Sequence, residues 1–369
     1  MIAAASAVMI SLAVMGACAD ANAPPRRTVP VLYSTDLHHP HQDPDDHFDL
    51  ATLFALAELD VRAIVLDCGA RQIVQPGTIP VEQMAHLTGR AVPCAVGLES
   101  PLRSPTDDGR DQPARSQKGV ALILDVLRRS DEKVTIFTTG SLRDVAAALN
   151  REPERFRRKV GRLYVNIGDS GAAGEGQEYN VKLDPASYAC VLRSGLPVYW
   201  CPCFDGGVWK RERGYATYWR FVHEQVLERA PERLQNWFIF ALVKPEADPI
   251  GFLSRAQEPA VRDRVWSMPR NMWCTGPFLH AAGREVVETS PGHWVARPAD
   301  RESDKVATPY AFVPARVTVD DDARATLQLD DAAQGTPVQV FKILDQANYD
   351  KMMASCLGEL LAGFPIAER

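Results

Sequence analysis

The sequence is short of several things that would otherwise define it. Its 369 residues include eight cysteines, too few to staple a chain of this length as a disulfide scaffold. Cys201-Pro202-Cys203 sets two thiols one residue apart, which is tight for a disulfide, and no second cysteine pair completes a zinc site. Most of the cysteines are expected to be small buried hydrophobes. No basic run is long enough to follow a nucleic-acid backbone, and the formal net charge is -6, so nucleic acid is set aside as a partner. With 46% hydrophobic and 24% charged residues there is no drift toward disorder or collagen. No internal repeat and no clear linker divides residues 29–369, which favours one domain there.

Long apolar runs are also missing, with one exception. Residues 2–17 (IAAASAVMISLAVMGA) carry no charge. The run is too short for a comfortable membrane span and suits the core of a signal peptide, although no Lys or Arg precedes it. Met15-Gly16-Ala17-Cys18 resembles a lipoprotein cleavage box, which would make Cys18 a lipid anchor and leave seven cysteines, an odd number. Plain cleavage near Ala17 or Ala23 is the alternative. Residues 1–28 are therefore read as a signal plus tether, and the protein as exported, periplasmic or at the cell surface.

From residue 29 onward the pattern alternates. Strands are expected at Val29–Tyr33, Arg62–Asp67, Ala91–Val96, Val134–Thr138, Leu163–Ile167 and Val198–Pro202. Helices are expected at Asp49–Leu59, from Pro80 to Leu87, and at Gly119–Arg129, Leu142–Leu149 and Pro185–Ser194. This predicts an α/β fold, a mostly parallel open sheet with helices on both faces. Residues 99–117 form a long polar loop. Residues 210–300 are irregular and rich in Trp and Arg, and their best helix is expected at Tyr215–Ala230. A small antiparallel hairpin is expected around Val317–Thr318 and Thr326–Leu329, followed by a strand at Val338–Ile343 and a helix at Tyr349–Leu361.

The densest chemistry lies at Asp36–Asp49 (DLHHPHQDPDDHFD), with five Asp and four of the eight His. It directly follows the first expected strand, and ligands of doubly wound sheets gather at carboxyl ends of strands. Several carboxylates in one loop repel one another unless a cation neutralises them, and oxygen-rich sites suit Ca²⁺ or Mg²⁺. Helix capping accounts for one or two Asp, most easily Asp45 or Asp46, but not for four Asp and three His within eleven residues.

Three segments then bear a resemblance to a known family. Ser34-Thr35-Asp36, an insert, and Asp43-Pro44-Asp45-Asp46 are similar to the opening D-x-D-P-G-x-D-D of the inosine–uridine-preferring nucleoside hydrolases. Thr138-Thr139-Gly140-Ser141-Leu142-Arg143-Asp144-Val145-Ala146 resembles their T-G-P-L-T-N-I-A. Glu178-Tyr179-Asn180-Val181-Lys182-Leu183-Asp184-Pro185-Ala186 resembles E-F-N-x-x-x-D-P-E-A. The three stand in the family's order across roughly residues 29–365. The resemblance implies calcium-dependent hydrolysis of an N-glycosidic bond in a nucleoside or related riboside. It implies Asp36 as calcium ligand and general base, Asp46 and the Thr139 carbonyl as calcium ligands, Asp45 on a ribose hydroxyl, and Glu178 and Asn180 on the others. Asp43 and Asn166 join these as further candidates. The partner implied is a small riboside or sugar, with a homo-oligomer also compatible.

The sequence departs from the family elsewhere. No His-Asp pair stands in Arg270–Pro277, where Cys274 or Thr275 occupies the place of a calcium ligand and leaving-group acid. Gly69-Ala70-Arg71-Gln72 replaces an expected Asn, Ile167 replaces a Met, and Asp169 adds an acid. Two alternatives follow. His38, His39, His41 and His47 beside the aspartates could recruit Zn²⁺ for a different metal-dependent hydrolase. Loss of the His-Asp pair fits a non-catalytic surface protein that binds a sugar or nucleoside. Other features have plain readings: Thr139 and Gly140 as a strand-to-helix turn, Asp184-Pro185 as a helix start, His280 and His293 as structural, Trp273 and Trp294 as core or rim with stacking on a base as the alternative, and Asp320–Asp322 as a hairpin turn.

Overall fold

Neighbouring residues on the central strands belong to opposite hydrophobic cores. Val31, Tyr33, Ile64, Leu66 and Phe137 pack into one, and Leu32, Ala63, Val65 and Ile136 into the other. Side chains of a strand alternate between faces, so these strands must be covered on both sides, which is why they read as unbroken apolar runs. A computed structural model describes residues 28–41, 43–171, 177–298, 305–320, 322–330, 332 and 334–368. The signal segment and Cys18 lie outside the described residues.

The strands are β1 (Val29–Thr35), β2 (Leu59–Leu66), β3 (Cys94–Val96), β4 (Val134–Thr138), β5 (Val160–Val165), β6 (Val198–Trp200), β7 (Trp219–Val222), β8 (Pro269–Met272), β9 (Arg284–Ser290), β10 (His293–Pro298), β11 (Lys305–Ala307), β12 (Tyr310–Val319), β13 (Ala325–Gln328) and β14 (Thr336–Ile343). Nine of them form one sheet in the order β13-β12-β14-β6-β5-β4-β1-β2-β3. From β14 to β3 all neighbours are parallel, and β12 and β13 add an antiparallel edge. The predicted hairpin is this edge. β10, β9 and β11 form a separate antiparallel sheet, and β7 pairs with β8.

The order matters for the site. The chain runs β1, β2, β3 to one side and then returns to place β4 on the other side of β1. Loops leaving β1 and β4 therefore diverge and open a crevice at the carboxyl ends of those strands, where open α/β sheets bind ligands.

Two expectations are corrected. The first helix is Asp45–Ala55, and Leu59 already belongs to β2. The expected helix Tyr215–Ala230 is instead strand β7 followed by a short helix, His223–Leu227. Trp219 and Phe221 are buried while Arg220 and Val222 are exposed, a period of two that fits a strand and not a helix. Among the described residues no helix is long and apolar enough to cross a membrane. The seven described cysteines are free thiols, all buried except the half-buried Cys94.

Candidate active site

Tyr33 and Thr35 of β1 and Thr139 after β4 converge on one carboxylate oxygen. Asp46 Oδ1 accepts from Thr35 Oγ1 at 2.6 Å, from Thr139 Oγ1 at 2.8 Å and from Tyr33 OH at 3.3 Å. Asp46 lies in the first turn of the helix Asp45–Ala55, whose N-terminus favours negative charge. Neither it nor Asp45 caps that helix: Pro44 is the cap residue and makes no side-chain capping bond. The capping explanation of these acids therefore does not apply.

Asp36, directly after β1, and Asp46 are both buried, and their carboxyl groups act on each other electrostatically. Two neighbouring buried carboxylates repel each other unless one holds a proton or a cation stands between them. Burial pushes the Asp36 carboxyl well above the usual range, Asp46 and Asp67 push it further, and Arg71 opposes them. Asp45 is raised by burial and by Asp46, Asp49 and Asp36. Burial also raises Asp46, against the hydrogen bonds from Thr35 and Thr139 that hold it down. Packed oxygen donors that resist joint ionisation suit a hard divalent cation, which would relieve the repulsion. The donor set thus fits the ion that the resemblance implies.

The turn after β4 cannot carry a side chain at position 140. A Cβ on Gly140 would sit 2.6 Å from Asp67 Oδ2 and 3.2 Å from Asp36 Cβ. Asp67, at the end of β2, accepts from Ser141 N at 2.5 Å, Ser141 Oγ at 2.9 Å and Cys68 N at 2.6 Å. It locks the β4 turn against β2 and so fixes Thr139 over Asp46.

A cavity of about 590 Å³ opens above these groups, lined by Asp36, His38, His41, Asp43, Asp45, Asp46, Thr139, Glu178 and Asn180 among others. Glu178 caps the helix Tyr179–Leu183, accepting from Asn180 N at 2.9 Å and Val181 N at 3.3 Å, and also from Gly168 N at 3.0 Å. Asn180 Oδ1 is buried without a hydrogen-bond partner, an acceptor left for a ligand hydroxyl. Asp43 pairs with Arg270 of β8, which donates from Nε to His223 Nε2 at 3.0 Å.

Other candidates stand apart from the cavity lining. Asn166 Nδ2 donates to the Thr138 carbonyl at 3.0 Å, and its Oδ1 has no partner. Asp169 turns to a neighbouring loop, accepting from Gly171 N at 2.7 Å, Gly206 N at 2.9 Å and Gly207 N at 2.7 Å. Cys274 is buried near Asp49, another acid raised by burial and by Asp46. Thr275 is buried with an unpartnered Oγ1. Neither Cys274 nor Thr275 lines the cavity.

Sequence reasoning gave no role to several residues that line it. Arg71 stands where an Asn was expected, with Nη1 3.7 Å from Asp36 Oδ2 and Nη2 donating to Tyr179 OH at 2.7 Å. Phe204, Val208 and Trp209 form another side with Trp273. The Gly206-Gly207 pair before Val208 marked a loop, but nothing local told where that loop would point.

The model for the inosine-uridine preferring nucleoside hydrolases matches residues 35–241. The chain belongs to this family. Pyrimidine-specific ribonucleoside hydrolase RihA of Citrobacter koseri is 32% identical over 189 residues, covering 46% of this chain and 58% of that protein. Its counterpart in Enterobacter sp. is 30% identical over the same shares. The chain thus spans less than two thirds of the length of these curated relatives. Two solved structures share the fold at 16% identity: a plant nucleoside hydrolase, TM-score 0.53, and an inosine-guanosine nucleoside hydrolase, TM-score 0.51. Each alignment covers 92% of this chain and 99% of the other. The nucleoside hydrolase fold accounts for the parallel sheet and for the position of the acidic loop at its switch point.

Proposed function

We propose that the protein hydrolyses the N-glycosidic bond of a nucleoside or related riboside, with calcium held by Asp36, Asp46 and Thr139. One observation carries the reading: Asp36, Asp45, Asp46, Thr139, Glu178 and Asn180, from three separate segments, border one cavity. When bound, the cation supplies positive potential that makes a nearby water easier to deprotonate and anchors sugar hydroxyls. Asp36 takes the proton of the water that attacks the anomeric carbon. Asp45 and Asn180 accept hydrogen bonds from ribose hydroxyls. Glu178, whose carboxylate is engaged by three backbone N–H groups, sets the position of Asn180. Cleavage passes through an oxocarbenium-like state, and the carboxylates of the cavity floor stabilise its positive charge. The apolar run 2–17 and Cys18 support export with a lipid anchor, to be checked by mass spectrometry of the membrane fraction.

The test is release of ribose from a nucleoside panel with calcium present and after chelation. Chelator-sensitive release supports the reading. Tight riboside binding with no turnover replaces it with the non-catalytic binder.

Zinc is a second reading, because ligand atoms of His41, Asp45 and Asp46 lie within 4.8 Å of one another. Against it, His41 Nδ1 accepts from Asp43 N at 2.9 Å, so the neutral ring keeps its proton on Nε2 and offers a donor, not a lone pair. Elemental analysis that found stoichiometric zinc would sink the calcium assignment.

A further inference from the structure

Exposed apolar side chains gather at the mouth of the cavity. Tyr179, Val208 and Trp209 line it at 56%, 49% and 53% exposure, and the still more exposed Ile73 and Val74 lie between its lining residues Arg71 and Gln75. Trp209 is held in place by a built loop. Asp169 binds the N–H groups of Gly206 and Gly207. The fully buried Asp205 accepts from Arg213 N, Arg213 Nε at 2.9 Å and Tyr215 N. Trp209 itself has φ +65°, a conformation that costs a non-glycine residue about 1 kcal/mol or more and persists only when its surroundings impose it. Its ring lies 6.3 Å from Trp273 and 5.4 Å from Phe204, so the three make a continuous aromatic wall.

We propose, building on the hydrolase reading above, that the preferred substrate is an N-riboside whose aglycone is a flat ring bearing a positive charge, of the N-ribosylpyridinium class, stacked on Trp209. Two independent features lead there. The first is the aromatic wall itself, because the indole faces of Trp209 and Trp273 present negative potential to a ring stacked on them. The second is proton balance. When the C1′–N bond of a neutral nucleoside breaks, the electron pair stays with the base, which leaves as an anion unless a proton reaches one of its heteroatoms. When the bond of a ribosylpyridinium breaks, the pair cancels the charge of the ring, and the aglycone leaves neutral. Water supplies the oxygen that bonds to C1′, and its proton goes to Asp36. The aromatic side chains Phe204, Trp209 and Trp273 carry no group that donates a proton to a leaving base near neutral pH, and the lining imidazoles, His38 and His41, stand on the carboxylate loop instead. A substrate that needs no such proton matches that wall.

The experiment uses the full chain with calcium and three probes: nicotinamide riboside, its reduced dihydro form (the same shape without the charge) and uridine. Cleavage is followed by chromatography of released ribose, and binding by calorimetry on Asp36→Asn protein. The charged form should bind ~3- to 30-fold more tightly than the reduced form, the range of a cation over an indole face. Trp209→Ala should abolish that preference, and Trp209→Phe, which keeps a flat ring, should retain most of it. Equal or better binding and cleavage of the reduced form or uridine overturns the charged-aglycone assignment and leaves the hydrolase reading standing. Preference unchanged in Trp209→Ala overturns the role of the wall. Binding of the charged form without cleavage of any riboside overturns the hydrolase reading instead.

Discussion

On one side of the cavity the side chains come from the carboxyl ends of parallel strands. Asp36 follows β1, Thr139 follows β4 and Asp67 closes β2, and buried hydrogen bonds cross-link all three turns. On the other side Phe204, Trp209 and Trp273 come from a glycine-bearing loop and the chain after β8, outside the nine-stranded sheet. The first side is polar, buried and over-determined; the second is apolar and partly open. The difference separates two tasks. Charge stabilisation needs oxygens held to a fraction of an ångström, which a sheet edge provides. Recognition of a variable ring needs a surface that can change without disturbing that frame, which a loop provides.

The sharpest way to test the division is on the polar side. Asp36→Asn should lower kcat roughly 10²- to 10⁴-fold while circular dichroism is unchanged. A similar loss in Trp209→Ala, measured in the same assay, would show that the two sides are not separable.

The frame itself should be the more costly part to damage. Arg143 and Asp184 form a buried pair at 3.1 Å, 4% and 0% exposed, and Arg143 also donates to the Leu183 carbonyl. Arg143→Ala should destabilise the fold by about 3–5 kcal/mol in denaturant titration, because it strands a buried carboxylate. Trp209→Ala, at a half-exposed loop position, should cost about 1 kcal/mol or less.

The polar side should also make stability depend on pH in a distinctive direction. Asp36, Asp45 and Asp46 are raised by burial, and Asp144 is raised to about 8. A raised carboxyl holds more protons in the folded chain than in the unfolded one, so its contribution is present below the ordinary value of about 4 and is lost as pH rises through the folded value. Chelated protein should therefore melt at progressively lower temperature from pH 4 toward pH 8. Calcium should flatten the part due to the cavity, and Asp144→Asn the part due to Asp144. A melting temperature that rises over this range without calcium would contradict the assignment.

The smallest effect is expected on the aromatic side. Asp169→Ala frees three backbone N–H groups and should raise KM several-fold with kcat nearly kept, since it loosens the Trp209 loop without touching the floor. A fall in kcat at unchanged KM would instead tie Asp169 to the chemistry.

The two sides also differed in how far they could be read in advance. The expected strand Val134–Thr138 coincides with β4, and the segments at Asp36, Thr139 and Glu178 do border one cavity. These are local patterns: apolar runs of strand length, and motifs attached to their ends. The segment Tyr215–Ala230 is ambiguous in sequence because aromatic residues fit either periodicity over a short window, and only pairing with β8 settles it as a strand at Trp219–Val222. Arg71 and Trp209 gave no local sign of their importance, since one is an ordinary charge in a short helix and the other an aromatic after two glycines. Their meaning depends on which distant segments they meet.

What the sequence determined by itself was the alternation of buried strands and amphipathic helices, and the acidic loop at the first strand's end. Periodicity and local composition are properties of a few consecutive residues and survive in any fold that buries them. Tertiary structure alone decided that β4 returns beside β1, that Asp67 clamps the Thr139 turn, and that a loop from outside the large sheet brings Trp209 to the cavity the carboxylates line. Those contacts join residues scores of positions apart, and their energy exists only once the sheet has been closed in one order and no other.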